Sequence, residues 1–413
     1  MLKILWFSLS PGLSATHVNN NYMGLGWLKA LESNIQDKVD LSIAFYHHDD
    51  HEPFTLGNTR YFPVKRYKKG KVSEMLERIT NSLESDRHIA TFLKIIDEVK
   101  PDVIHVHGTE TNYGLIQKYT DIPVVLSIQS IITVYHHKYF STINHFHVRK
   151  YSRVKEFILF RSFNNVYRRF NKMAQRELDI YRHTKHVIGR TAWDKRVASI
   201  LAPNAIYHHN DEVLRSGFYQ KQWAASLNSK ITLFTTNGPD IYKGIETLLH
   251  CALLLDMINI SFEWRVAGLN VNDETVAIAA KVVGKPISKN IKFLGTVAED
   301  DLITQMLQAS IYVSTSHIEN SPNSLCEAQI LGMPCVTTNA GGTSTLIQDG
   351  KEGIVIQDGD PFVMAGAIVE MINDYKKAAD YGRNSRKTAL ERHDPQKITN
   401  ELLDIYNAVA QRN

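Results

Sequence analysis

The sequence is poor in cysteine: Cys251, Cys326 and Cys335 are all that its 413 residues contain. An odd number without metal-type spacing argues against a disulfide framework or a zinc module and suits a reducing cytoplasm. Long apolar runs are missing too. No stretch approaches the roughly 20 residues of a membrane-crossing helix. The brief apolar start, Met1-Leu-Lys-Ile-Leu-Trp-Phe-Ser-Leu-Ser, is followed by no small-residue cleavage site, so it reads as a first strand and not as a secretion signal. Low-complexity segments and short repeats are absent. What is there is globular composition, 43% hydrophobic and 22% charged, in a chain long enough for two domains with separate cores.

Neither charge sign dominates overall, with 47 Lys/Arg against 43 Asp/Glu, but the balance is uneven along the chain. Residues 1–200 carry 29 Lys/Arg and 19 Asp/Glu, and the remainder 18 and 24. The excess is densest from Lys138 to Arg196, where fifteen basic residues meet four acidic ones. Phe157, Ile158, Leu159, Phe160, Phe163, Val166, Tyr167 and Phe170 are interleaved at three- and four-residue intervals, so an amphipathic helix is expected there. The stripe suits a core with a solvated basic back. The alternative is a face for anionic lipid headgroups or an anionic, lipid-linked acceptor. No DNA- or RNA-binding module accompanies the charge, which argues against nucleic acid.

Strands and helices alternate throughout, the pattern of an α/β protein with parallel sheets covered on both faces. Strands are expected at 2–8, 39–46, 103–107, 124–129 and 187–189, then at 231–236, 261–267, 291–294, 311–316, 335–338 and 353–356. Helices are expected at 21–33, 72–100 and 191–201. Residues 205–222 carry no strong period and read as a linker. The resulting division is a first domain over 1–210, a second over 223–394, and a last helix within 395–413 that returns to the first.

Glu319 and Glu327, eight residues apart in Ser316-His-Ile-Glu-Asn-Ser-Pro-Asn-Ser-Leu-Cys-Glu-Ala, carry the strongest chemical signal. The preceding Ile311-Tyr-Val-Ser-Thr-Ser is a β-branched and aromatic run, hence a strand. A helix follows, with Ser321 expected as N-cap and Pro322 at its first position. Asn323, Ser324 and Glu327 share one edge of that helix, and Cα–Cβ bonds lean towards its N-terminus. Unpaired N–H groups at such an end attract anions. A carboxylate beside a phosphate site repels the phosphate but accepts hydrogen bonds from the ribose attached to it. The arrangement reads as a cradle for a nucleoside diphosphate.

Further pieces follow in fixed order: Tyr242-Lys-Gly-Ile-Glu-Thr-Leu-Leu, Trp264-Arg-Val-Ala-Gly, Ile291-Lys-Phe-Leu-Gly-Thr-Val, Leu331-Gly-Met-Pro-Cys-Val-Thr-Thr, Ala340-Gly-Gly and Ile347-Gln-Asp-Gly-Lys-Glu-Gly-Ile-Val. Together with the paired glutamates they resemble the nucleotide-binding domain of retaining GT-B glycosyltransferases of the family 4 (group 1) type. The resemblance runs from about residue 230 to 394 and is scattered over the first 200. It implies the GT-B architecture, two Rossmann-like doubly wound parallel-sheet domains facing across a cleft. It implies transfer of a sugar from a nucleotide-sugar, a UDP-sugar for choice, to a glycan or lipid-linked acceptor in bacterial surface polysaccharide assembly. Such an enzyme would work in the cytoplasm, with a peripheral station at the inner face of the plasma membrane as an extension.

By that resemblance Lys243 neutralises the leaving diphosphate, Glu319 holds sugar hydroxyls or supports positive charge near the anomeric centre, and Glu327 holds the ribose. Gly238 allows close approach of the backbone to the donor. Backbone groups at Asn323, Ser324 and Leu325 meet phosphate, Val297 lines the donor site, and Gly24 and Gly26 form a glycine loop towards the distal phosphate or sugar. The family's arginine after the glycine is here Pro239, leaving one expected cation missing; Arg190 and Arg215 are candidates to replace it, and backbone N–H groups carrying more of the load are the alternative. Relatives carry histidine where Gln129 stands. A glutamine can bond a sugar hydroxyl but cannot gain a proton. The third glycine of a dinucleotide fingerprint is missing after Gly24 and Gly26, against an NAD enzyme. His105 and His107 are expected on opposite faces of their strand. His47-His-Asp-Asp-His-Glu is expected to be an exposed loop and Asp358-Gly-Asp a polar one, so neither a catalytic metal nor a cofactor is expected. A nucleotide-sugar 2-epimerase of the same fold and a catalytically silent donor-binding subunit remain as alternatives.

Overall fold

The structure, a computed structural model, describes residues 1–18, 26–66, 71–224 and 231–411, with backbone alone at 71–73. It forms two compact units. The first comprises Met1–His136, Tyr167–Arg215 and His393–Asn413, and the second His137–Val166 and Ser216–Arg392.

The first unit is built on eight strands: β1 (Lys3–Ser8), β2 (Asp40–His47), β3 (Phe54–Leu56), β4 (Thr59–Lys65), β5 (Val103–His107), β6 (Val124–Ser127), β7 (His186–Gly189) and β8 (Ile206–His209). Their order is β3-β4-β2-β1-β5-β6-β7-β8, and only β3 runs antiparallel. Burial on both faces explains the near-continuous apolar runs. Alternate residues of β1 enter opposite cores, Ile4 and Trp6 with Leu28 and Leu402, Leu5 and Phe7 with Phe92 and Tyr113. The last helix, Pro395–Ala410, packs on this unit. Its Tyr406 hydroxyl accepts from Trp6 Nε1 at 2.9 Å and lies 2.6 Å from His105 Nδ1.

Several local expectations need correction. His105 and His107 share a face, with ring centroids 3.8 Å apart, because residues two apart in a strand point the same way. The helix expected over 72–100 is two, Lys71–Thr80 and Arg87–Val99, parted by a stretch that begins at Asn81 with φ +51°. The hairpin of β3 and β4 was hidden by Pro63. It lies outside the three residues of β4 that pair with β3, so its missing N–H deprives no β3 partner. Strand β8 opens the supposed linker; it is a largely exposed edge strand without apolar alternation.

The basic segment is divided as well. His137–Val166 packs with the second unit, where Tyr139 meets the Tyr242 ring edge-on at 5.9 Å. Arg153 donates its backbone N–H to Glu274 and its guanidinium to the Asn272 carbonyl. No single helix runs through 157–170. A turn of helix, Val154–Ile158, ends before Phe160 at φ +53°, and a long one, Phe163–His183, begins afresh in the next turn of chain.

The second unit carries β9 (Ile231–Thr236), β10 (Phe262–Ala267), β11 (Ile291–Gly295), β12 (Ile311–Ser314), β13 (Cys335–Thr338) and β14 (Ile354–Ile356), all parallel, in the order β11-β10-β9-β12-β13-β14. All carboxyl ends therefore open on one side. The order reverses between β9 and β12, the switch point at which doubly wound sheets take ligands.

Candidate functional site

The loops after β9 and β12 meet at that switch point. Lys243 closes a single 3₁₀ turn, Ile241–Lys243, and Gly244 follows with φ +69°. A Cβ at residue 244 would lie 1.9 Å from the Thr315 carbonyl oxygen, so this turn can seat against the end of β12 only with glycine there. Asn237 Nδ2 and Thr315 Oγ1 both donate to the Lys243 carbonyl, at 3.2 and 3.0 Å. The turn is thereby fixed and its lysine aimed. Lys243 Nζ lies 2.6 Å from Glu319 Oε1, which also accepts from Ser316 Oγ at 2.8 Å. The carboxylate is 7% exposed. Its backbone carbonyl accepts from Gly342 N–H, and Gly341, at φ +60°, lets the Ala340-Gly-Gly turn approach within a distance no side chain would permit.

The helix beyond begins at Asn323, not at Pro322. Pro322 itself is the N-cap, extended at φ −68° and ψ 112°, and no side chain caps the helix. Ser321 therefore does not hold the place expected of it: the extended backbone at Pro322 sets the boundary one residue later. Leu325 N–H already donates to the Pro322 carbonyl at 3.0 Å, so the N–H groups of Asn323 and Ser324 are those the helix leaves over. Asn323 Oδ1 is buried and finds no hydrogen-bond partner. Glu327, 3% exposed, sits in the second turn. A buried glutamate one turn inside an uncapped helix end suits a ribose and phosphate site.

Gly238 has open space where a Cβ would stand and needs no left-handed backbone, so neither packing nor conformation within the chain demands glycine there. Val297 is half-buried in the loop after β11, at the carboxyl-end side of the sheet. Asp240 was not foreseen. Burial pushes its carboxyl above the usual range, while the Tyr242 hydroxyl at 3.1 Å and Lys243 act in the opposite direction. Lys243 thus stands near two carboxylates, Asp240 and Glu319.

His317 was also missed, although it lies inside the glutamate motif. Its Nε2 is 2.6 Å from Glu246 Oε1 and its Nδ1 3.4 Å from Asp358 Oδ2, while its backbone N–H donates to the Tyr242 carbonyl. Burial works against the charged ring, but Asp358 and Glu246 outweigh it and bring the imidazole up to about 9. Asp358 is correspondingly lowered by His317. Asp360, the other acid of Asp358-Gly-Asp, caps the helix Pro361–Asn373. Among the described residues no cluster of three His, Cys, Asp or Glu is arranged to hold a metal ion.

The remaining residues singled out from sequence belong to the first unit. Gln129 follows β6, half-buried, with Oε1 3.5 Å from both terminal nitrogens of Arg190. Arg190 is committed there, paired with Glu212 and donating to the Ile128 carbonyl at 2.7 Å. Arg215 packs beside Gly26, which opens the helix Gly26–Ile35. Gly24 lies outside the described residues.

Residues 218–388 match the family model of group 1 glycosyl transferases. The capsular polysaccharide biosynthesis glycosyltransferase CapM of Staphylococcus aureus is 33% identical over 98 residues, 24% of this chain and 26% of CapM. The chain spans about a quarter to a half of the length of the curated relatives it matches. The sucrose-phosphate synthase of Thermosynechococcus elongatus superposes over 100% of both chains with a TM-score of 0.72 at 12% identity. Anabaena HepE in complex with UDP and glucose superposes over 99% of this chain and 100% of its own, with a TM-score of 0.66 at 16% identity. At such identities these likenesses establish the fold, which is GT-B. The residues that match the family model contain all of β9 to β14 and every residue of the cradle, from Gly238 to Glu327.

Proposed function

We propose that the protein is a retaining glycosyltransferase that moves a sugar from a UDP-sugar to a glycan or lipid-linked acceptor of a bacterial surface polysaccharide, working in the cytoplasm. The observation that carries this reading is the Lys243–Glu319 pair beside the uncapped helix end at Asn323, with Glu327 in the next turn. UDP with glucose in HepE and the capsular role in CapM's name support the donor and the setting. In the reaction the anomeric carbon loses a diphosphate through an oxocarbenium-like transition state. Lys243 and the N–H groups of Asn323 and Ser324 stabilise the charge that grows on the leaving group. Glu327 accepts the ribose hydroxyls and Glu319 the sugar hydroxyls. The acceptor hydroxyl attacks from the face the diphosphate leaves, and its proton passes to a departing phosphate oxygen. Gln129 bonds a sugar hydroxyl without taking a proton.

The test of the donor site is Glu327→Ala. Loss of even one charge-assisted hydrogen bond costs about 1.5–3 kcal/mol, so UDP affinity by calorimetry should fall at least about tenfold. Equal affinity would remove Glu327 from the ribose. Transfer to an acceptor, with UDP released, distinguishes this reading from an epimerase, which interconverts free nucleotide-sugars, and from a silent subunit, which binds without turnover.

A lysine and a helix end already face the diphosphate, so turnover is expected to survive excess EDTA. Activity abolished by EDTA and restored by magnesium or manganese would instead mean that a metal fills the place left by Pro239.

A further inference from the structure

We propose that the segment 144–161 is a docking surface for an anionic lipid bilayer. The basic excess seen in sequence separates into two parts. Along the helix Phe163–His183 three of the five Lys/Arg are engaged within the first unit, Arg176 with Glu84 and the Glu110 carbonyl, Arg169 with the Ser82 carbonyl and Lys172 with the Thr80 carbonyl, while Lys118 reaches Asp179 on the same helix and Arg168 and Arg182 are exposed. The segment before it differs. Between Asn144 and Arg161 the exposed side chains include Phe146 at 64%, Val154 at 72% and Ile158 at 62%, with Phe157 and Leu159 less so. The exposed charges there are Arg149, Lys150, Lys155 and Arg161, and none is acidic. Of the helical turn Val154–Ile158 only Glu156 is even half-buried, and Lys155 lies 3.7 Å from it. A turn exposed on almost every side protrudes. Lys150 lies over the rings of Phe146 and Tyr151, at 5.7 and 5.0 Å, as a cation does at an amphipathic edge.

A protruding apolar tip ringed by cations fits one partner best. Its aliphatic residues bury in the headgroup and acyl boundary while the cations meet lipid phosphates. Nucleic acid would satisfy the cations and leave Val154, Ile158 and Leu159 in water. Among the described residues no helix is long and apolar enough to cross a membrane, so attachment here is reversible and interfacial. This surface is independent of the donor-site reading, and its test needs no nucleotide.

The experiment is co-sedimentation of the full chain with vesicles of phosphatidylcholine alone and with added phosphatidylglycerol. Binding is expected only with the anionic lipid and should weaken as salt is raised from about 0.1 to 1 M, where the screening length falls from about 10 to 3 Å. Lys150→Gln and Lys155→Gln should each lower partitioning about fivefold. Val154→Ser with Ile158→Ser should lower it further while the Tm stays that of the wild type. Binding that is absent, equal on neutral vesicles, or unmoved by these substitutions would overturn the proposal. So would light scattering showing that the serine variant dissociates a dimer, since a second copy would then cover the patch.

Discussion

In Lys243→Ala, kcat for sugar transfer is expected to fall about a hundredfold, the usual effect of removing one group that stabilises charge developing in the transition state. In the proposed reaction the lysine meets a diphosphate whose charge grows as the glycosidic bond breaks, so its contribution is larger at the transition state than in the bound donor. The structure adds a second effect. Lys243 Nζ lies 2.6 Å from Glu319, and deleting it leaves that carboxylate uncompensated beside an anionic ligand. UDP affinity should therefore fall as well, and Glu319→Gln in the same chain should restore affinity for UDP without restoring kcat. Separating the two effects requires Lys243→Ala, Glu319→Gln and the double variant, because residues in contact do not contribute additively. If kcat is unchanged in Lys243→Ala and only KM rises, the lysine binds the ground state and the role assigned to it is wrong.

How much of this was legible in the sequence depends on how local the determinants are. The carboxyl ends of β9 and β12 could be read because their loops are short, the glycines at 244 and 341 are sterically required, and the glutamates sit at fixed spacing on one strand–helix junction. The alternation that gives two parallel sheets is equally local. What escaped reading depends on partners distant in sequence. Nothing near Asp358 announces that it pairs with His317, or near His317 that Glu246 lies opposite. The segment 137–166 looked like part of the first domain because it lies between strands β6 and β7. Its packing on the second unit rests on Tyr242, Glu274 and Asn272, each more than a hundred residues away from its partner. The N-cap was misread for a different reason: Ser321 and Pro322 both favour helix starts, and only the backbone angles decide which of them is the boundary.

The stability of the second unit should depend on pH through His317, and the sign follows from the cluster around it. The ring is held up to about 9, above the ordinary 6.5, by Asp358 and Glu246 against the effect of burial, with Lys138 acting on Asp358 from the segment 137–166. A group whose folded value is raised stabilises fully below its unfolded value and loses that contribution as pH rises through the folded one. The His317 contribution is therefore complete below about 6.5 and gone above about 9, and a shift of this size is on the order of 3 kcal/mol. Asp358 is lowered, so its share is present above the ordinary carboxylate range and is lost as pH falls through its folded value. His317→Gln keeps the size of the side chain but leaves Glu246, 2% exposed and with Oε2 already unpartnered, as an uncompensated buried charge. At neutral pH the variant should lose about 3–5 kcal/mol of stability, the usual effect of breaking a buried pair. Its unfolding free energy should also lack the decline expected of the wild type between about pH 6.5 and 9. Denaturant titrations at several pH values measure both. Parallel curves for the two proteins across that window would mean that His317 is neutral in the folded chain, and that the loop carrying Glu319 is held against Lys243 without an ion pair beneath it.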